Sequence, residues 1–367
     1  MSPRRDHGPT RKQNQRRITV TKWKEGLSGL ALAAVMLGAI TTTALADAGE
    51  LHIYNWTDYT SDEMIKKFET ETGIKVTIDT YDSNETALAK LSSGAAGYDV
   101  MIISNDFVPI FVNQKLFQEV DAGAMPNFKN VDPKWQRRPW DPDAKYTVPW
   151  VWGTTSYSVD TAVYKGPTDS LKPLFDPPAE LKGKVGMFGS PTEVISLALV
   201  YLGKDQCNSN PADLKELDTL LEAQKPFVKV YNSDGIVERQ VAGETVMHEQ
   251  WSGKALATRQ QKSTVKYVYP KEGAVGWMDN VAVPTTAPNL DNAKKFLNFL
   301  MDPENIALQQ KYTGYQSAIT GSNKFLAADV GGSPEFNPPA DLKITFAPSC
   351  DEKAIRAYDR IWTNLRQ

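Results

Sequence analysis

Cysteine and histidine are nearly absent: the 367 residues hold two cysteines, Cys207 and Cys350, and three histidines, His7, His52 and His248. They do not cluster at zinc-ligand spacing, and neither cysteine has a histidine close in sequence to activate it as a nucleophile. A Walker A loop, a GxGxxG turn after a strand, a GxSxG elbow and an HExxH helix are missing as well. His52 falls inside an apolar strand pattern, where a hydrogen-bonded structural role is expected. The chain also lacks internal repeats, low-complexity tracts and any apolar span beyond the one at its start, so enzymatic chemistry has few parts to draw on.

That single apolar stretch, Leu27 to Ile40, follows a basic leader containing Arg4, Arg5, Arg11, Lys12, Arg16, Arg17, Lys22 and Lys24. It ends in TTTALADAG, where Ala44 and Ala46 flank Leu45 as small residues flank a signal-peptidase site, and cleavage after Ala46 is expected. Roughly 14 apolar residues are too few to span a bilayer. No cysteine lies near the cleavage site to carry a lipid anchor, so a soluble periplasmic product is expected. Losing residues 1–46 removes 8 Lys/Arg and 2 Asp/Glu and leaves 33 basic against 42 acidic residues, a net charge of −9. Nucleic acid is a poor partner for such a chain, whereas a cationic ligand is steered towards it. The remaining 321 residues exceed the size at which one core usually keeps growing, so two lobes are expected. An oxidising compartment permits Cys207 and Cys350 to pair, but sequence leaves their distance open.

Residues 50 to 110 alternate element types. ELHIYNW reads as a strand, Thr60 and Glu63 as the capping box of a helix stopped by Gly73, and Ile74 to Tyr81 as a second strand. Asp82 with Glu85 opens another helix, and Tyr98 to Ser104 is a near-continuous apolar third strand. That succession predicts a parallel sheet covered on both faces. Ligands of such sheets sit beyond the carboxyl ends of the strands, which brings Trp56 to Tyr59 and Ser104 to Asp106 to one rim. Ser156 to Val275 repeats the theme through VGMF, the helix PTEVISLALVYLG, FVKVYN and a segment ending in Trp251. Residues 291–311 and 352–366 read as amphipathic helices, the second with Ile355, Tyr358, Trp362 and Leu365 on one face.

Three tryptophans fall where loops are expected, each beside an acid or hydroxyl: Trp56-Thr57-Asp58-Tyr59, Trp251-Ser252 and Trp277-Met278-Asp279. Aromatic faces attract desolvated ammonium groups and pack methylene chains, while carboxylates supply charge-assisted hydrogen bonds. The combination suits an alkyl amine, although any single tryptophan is more often a core residue.

The strings LHIYNWTDYTSDEMIKKFETETGIKV, YDSNETALAKL, GYDVMIIS, VPWVWGTTSYSVD, EVISLALVYLGKD and PKEGAVGWMDNVAVP closely resemble, in collinear order, the periplasmic spermidine- and putrescine-binding proteins of bacterial polyamine importers. The resemblance implies a type II periplasmic binding protein fold: two α/β lobes joined by crossing strands, each a mainly parallel sheet flanked by helices, with the ligand cleft between them. It places lobe 1 at residues 47–153 and 279–316 and lobe 2 at 154–278 and 317–367. It implies a polyamine ligand and an inner-membrane ABC permease as partners, a monomer, no cofactor, no metal and no catalytic residue. The family's aromatic box falls on Trp56, Tyr59, Trp251, Trp277 and Tyr315, its hydrogen-bonding positions on Thr57, Asp58, Ser104, Ser233 and Glu193, and its principal amine-binding carboxylate on Asp279. Ser190, Pro191 and Glu193 also form a complete capping box, so the Glu193 carboxylate has two competing uses.

One position departs from the family. Where putrescine-selective members carry a second aspartate three residues after the tryptophan, this chain reads Trp251-Ser252-Gly253-Lys254. An ammonium facing an amine ligand is unfavourable unless an acid neutralises it. Lys254 therefore either turns away, pairs with an acid such as Asp234, or holds the carboxylate of a zwitterion such as 4-aminobutyrate. Asp106 and Asp234 stand where relatives carry uncharged residues, so the acidic end of the pocket has room to move. A sugar binder would not need Asp279, and an enzyme on the same scaffold would need a cleft nucleophile that neither cysteine supplies.

Overall fold

The computed structural model describes residues 49–367; the expected signal peptide lies outside the described residues. Strands β1 (Glu50–Trp56), β2 (Lys75–Tyr81) and β3 (Val100–Ser104) pair in parallel, with β1 central. Two helices connect them, Asp62–Thr72 and Asn84–Ser92. Further on come β4 (Thr147–Asp160), β5 (Val185–Met187), β6 (Val228–Tyr231), β7 (Met247–Trp251), β8 (Val265–Val268), β9 (Ala274–Ala282), β10 (Gln316–Ser317) and β11 (Ile344–Phe346). The path of hydrogen-bonded neighbours is β2-β1-β3-β9-β4-β7-β5-β6, with β8 and β10 added to β4 and β11 to β9. Both ends of this path are parallel and its middle, where β9 meets β3 and β4, is antiparallel. β4 and β9 thus run from one α/β half into the other.

Each half has its own core. In the first, Leu51, Ile53 and Phe68 pack with Phe296 and Leu300 on one face of the sheet, while Tyr54, Met101 and Phe111 pack on the other. This is the alternation a strand imposes on successive side chains. Phe68 is fully buried with Phe296 and Phe299 edge-on at 5.0 and 5.2 Å; removing such a ring typically destabilises by about 3–5 kcal/mol. In the second half, Tyr157, Val185, Leu197, Leu217, Met247 and Tyr358 share one cluster. Ile319 packs in the first core, and Ser317 pairs with Val151 of β4.

Several local expectations shift. The first helix is capped by Ser61, whose side chain accepts from Met64 N, because the Thr60 hydroxyl is already engaged by the Asn55 amide. Ser83, not Asp82, caps the second helix. Residues 291–311 form two helices, Leu290–Leu300 and Pro303–Thr313, since Asp302-Pro303 ends one and starts the next. Within Glu352–Arg366 the buried face is Ala354, Ala357, Tyr358, Ile361 and Leu365, while Ile355 is exposed. Helix Pro211–Gln224 went unanticipated. Cys207 and Cys350 are joined, with Cα atoms 5.0 Å apart, which ties the start of the C-terminal helix to the loop after helix Pro191–Leu202. His52 accepts its structural role: its Nδ1 lies 3.0 Å from Gly97 O. Among the described residues no helix is long and apolar enough to cross a membrane, and no group of His, Cys, Asp and Glu could hold a metal ion.

Candidate ligand-binding site

The site begins where β3 meets β9. Ser104, the last residue of β3, lies directly opposite Asp279, and its hydroxyl donates to Asp279 Oδ1 at 2.9 Å. The Tyr59 phenol donates to Oδ2 at 2.5 Å. Tyr59 is held in place by Gln309, whose amide donates to Tyr59 O at 2.6 Å while its oxygen accepts from Ser61 N. Asp279 is 4% exposed, and burial pushes its carboxyl up to about 6 although both hydroxyl bonds pull it down. Trp277 and Asp279 therefore sit in the middle of β9 and not in a loop. They are available because this strand passes between the two halves of the molecule, which local sequence patterns do not reveal.

Aromatic rings wall the carboxylate. Trp277 lies opposite Gly153 of β4, and a Cβ at Gly153 would sit 2.6 Å from the indole, so glycine is what lets the ring lie flat across the strand. The Tyr315 ring meets Trp277 edge-on at 4.7 Å and Tyr59 at 6.0 Å. Gly253 gives it room, since a Cβ there would come within 2.6 Å of the Tyr315 ring. Trp56, at the end of β1, packs on Tyr81 at 4.5 Å. The indole N–H groups of Trp56 and Trp277 are buried without a hydrogen-bond partner.

The second half supplies the opposite wall. Trp251 ends β7 and stacks on Phe188 at 4.2 Å. Its indole N–H donates to Glu193 Oε1 at 3.1 Å, and the Thr155 hydroxyl donates to Oε2 at 3.0 Å. Glu193 N is satisfied by the Ser190 hydroxyl, but the Glu193 carboxylate does not return the bond to its own helix start; it serves the cleft instead. Burial raises Glu193 to about 6, with Asp279 adding to the rise. Asp106, two residues beyond Ser104, is pushed up to about 7 by burial, with Glu85, Glu193 and Asp279 adding to the effect. None of these three acids forms an ion pair with a lysine or arginine among the described residues.

The other sequence candidates are more peripheral. Thr57 and Asp58 are exposed, with Asp58 at φ +52° in the left-handed region and Thr57 bonded to Tyr81 O. Ser233 is half-buried and accepts from Gly189 N at 3.0 Å, bracing the turn before Ser190. Lys254 is half-buried on the first turn of helix Ser252–Gln261; it enters no ion pair among the described residues, with Asp234 or otherwise. Sequence reasoning missed Thr155, Phe188 and Gln309. A signal for Thr155 was present: β4 is buried along its whole length yet carries Thr154, Thr155 and Ser156 in succession, and buried hydroxyls need partners.

Two α/β halves joined through crossing strands, with acids and aromatic rings converging where they meet, define a two-lobed solute-capturing protein. The chain belongs to the bacterial extracellular solute-binding protein family, whose model matches residues 63–337. It is similar to the spermidine/putrescine-binding periplasmic protein of Escherichia coli K12, at 33% identity over 87% of this chain and 91% of that protein. It is 34% identical to the putrescine-binding periplasmic protein of the same organism, over 94% and 98% of the two chains. Among solved structures it superposes on a spermidine/putrescine ABC transporter substrate-binding protein from Streptococcus pneumoniae with a TM-score of 0.77, 26% identity and coverage of 87% of this chain and 98% of that one.

Proposed function

We propose that this chain is an exported, monomeric capture protein that holds a polyamine between its lobes and presents it to an inner-membrane ABC permease, without performing catalysis. The observation that carries this is the set of three desolvated carboxylates, Asp279, Glu193 and Asp106, which raise one another's pKa and form no ion pair among the described residues. Unneutralised acids in a low-dielectric site are unfavourable on their own, and a bound ammonium removes that penalty. The names of the relatives, spermidine- and putrescine-binding proteins, support the same chemistry.

In this account Asp279 receives one ammonium, with Tyr59 and Ser104 fixing the carboxylate. Trp56, Trp251, Trp277 and Tyr315 pack the methylenes and face the cation. Thr57, Asp58 and Ser233 line the rim, and Glu193 reaches the ligand from the second lobe. The lobes close about β4 and β9, which desolvates the amine and strengthens each contact. Lys254 forms no ion pair with these acids among the described residues. A calorimetric panel of 1,4-diaminobutane, spermidine, 4-aminobutyrate and a disaccharide tests this directly. Tight binding confined to the amines is expected; tight binding of 4-aminobutyrate or the sugar with none of the amines would overturn it.

A further inference from the structure

Asp279 sits opposite a fault in the sheet. Between β4 and β9 the pairing runs from Pro149 with Asn280 to Trp152 with Met278, so Trp150 and Val151 face the single residue Asp279. A bulge of this kind interrupts the ladder locally. The residue that carries the ligand carboxylate therefore has no regular partner on the β4 side of its strand.

The β3 side compensates. β3 ends at Ser104, opposite Asp279, and the chain turns at once, with Phe107 N donating to Ser104 O at 3.1 Å. Asn105 nonetheless prolongs the ladder by one pair. Its main-chain N donates to Met278 O at 2.9 Å, as the next residue of an antiparallel strand would. The return bond, which a main-chain carbonyl ordinarily accepts, is accepted by the side chain: Met278 N donates to Asn105 Oδ1 at 3.0 Å. The other end of the amide is used as well. Asn105 Nδ2 donates to Ala347 O at 2.9 Å, just past β11, whose Phe346 pairs with Gly276 of β9 and meets Trp135 edge-on at 5.3 Å. Asn105 is 3% exposed, so water has little access to replace these bonds. Met278 O takes a second donor, Asn280 Nδ2 at 2.9 Å. Both main-chain polar groups of Met278 are thus held, and Met278 is the residue between Trp277 and Asp279.

We propose that Asn105 is a positioning residue of the cleft: its side chain stands in for a main-chain carbonyl of β3, pins β9 at Met278 beside the bulge, and so sets where the Asp279 carboxylate and the Trp277 ring meet an amine. It acts through Met278 and not on the ligand. Alanine at this position leaves Met278 N and Ala347 O without the partners they have now, and it releases β9 on the side where it was regularly held. The role of Asn105 rests on the amine capture proposed above.

The test titrates 1,4-diaminobutane calorimetrically into the full-length mature protein as wild type, Asn105→Ala, Asn105→Ser, Asp279→Asn, and each Asn105 variant combined with Asp279→Asn. Thermal melts establish that every protein is folded at the titration temperature. Serine covers the case in which alanine does not fold, since its hydroxyl is too short to reach both Met278 N and Ala347 O. The single Asn105 variants should lose about tenfold in affinity, within the range of coupling between residues of one hydrogen-bond network. In the Asp279→Asn background that loss should shrink to about threefold or less, because the carboxylate that Asn105 positions is no longer there. A residue that only supports the fold lowers the melting temperature and leaves the affinity of the folded protein alone. Folded Asn105 variants that bind the diamine as tightly as wild type therefore overturn the role, as does a loss of equal size with and without Asp279→Asn; amine capture stands in both cases. Failure of the wild type to bind the diamine overturns amine capture itself, and the role of Asn105 with it.

Discussion

Asp279→Asn separates what the site does for the ligand from what it does to the fold. In the empty protein burial lifts the carboxyl from 3.8 to about 6, a difference worth about 3 kcal/mol. A carboxylate with a raised folded-state pKa favours the native state most fully below the ordinary carboxylate range, and that contribution is lost as pH rises through about 6. At pH 7.5 the charged Asp279 therefore burdens the unliganded fold by up to about 3 kcal/mol. Asparagine removes the charge while keeping the shape. Its oxygen accepts from one of the two hydroxyls now bonded to the carboxylate, Tyr59 or Ser104, and its amide donates to the other once that hydroxyl turns. The variant should melt at or above the wild-type temperature at pH 7.5 and lose this advantage at pH 4.5, while its affinity for 1,4-diaminobutane falls by about 1.5–3 kcal/mol. Thermal unfolding at both pH values and calorimetry at pH 7.5 measure the two effects. A variant that is clearly less stable than wild type at pH 7.5, or one that binds the diamine unchanged, would refute the assignment of Asp279 as a desolvated ligand partner.

Two further outcomes follow from the same structure. The Cys207–Cys350 link closes a loop spanning 143 residues, which constrains the unfolded chain by about 5 kcal/mol in the loop-entropy account; the Cys207→Ser/Cys350→Ser double variant should melt many degrees lower, and an unchanged melting temperature would contradict a stabilising link. Lys254→Asp should leave diamine affinity unchanged or raise it, because the lysine pairs with none of the cleft acids among the described residues; if wild type instead binds 4-aminobutyrate tightly and the variant loses it, Lys254 is a carboxylate partner.

The first half of the fold was legible because strands and helices there alternate cleanly, with period 2 in β1 and period 3.6 in helix Asp62–Thr72. Its cap was displaced by one residue because Thr60 was drawn into a bond with Asn55, a contact no capping rule sees. Helix Pro211–Gln224 was missed because only Leu217, Leu221 and Gln224 are buried on it, a stripe too thin to stand out, although Asn210-Pro211 is a good start signal. The aromatic-acid pairs picked out residues that come together in space, but not in the loops expected for them: Trp277 and Asp279 lie mid-strand, and Glu193 serves Trp251 and Thr155 and not its own cap. Such facts depend on how distant segments meet. The disulfide is of the same kind, since residues 143 apart are brought together only by the packing of the C-terminal helix on the second core.

The claim that unneutralised carboxylates await a cation is tested most directly by the proton balance of binding. Calorimetric titration of 1,4-diaminobutane at pH 6.5, in two buffers of different ionisation heat, reads that balance, and repeats at pH 7.5 and 5.5 read the affinity. Asp279 and Glu193 near 6 and Asp106 near 7 are partly protonated in the empty cleft. An arriving ammonium lowers all three, so binding should release protons at pH 6.5, and affinity should fall by about tenfold or more between pH 7.5 and 5.5. Proton uptake, or an affinity that stays level or rises as pH falls, would contradict the account.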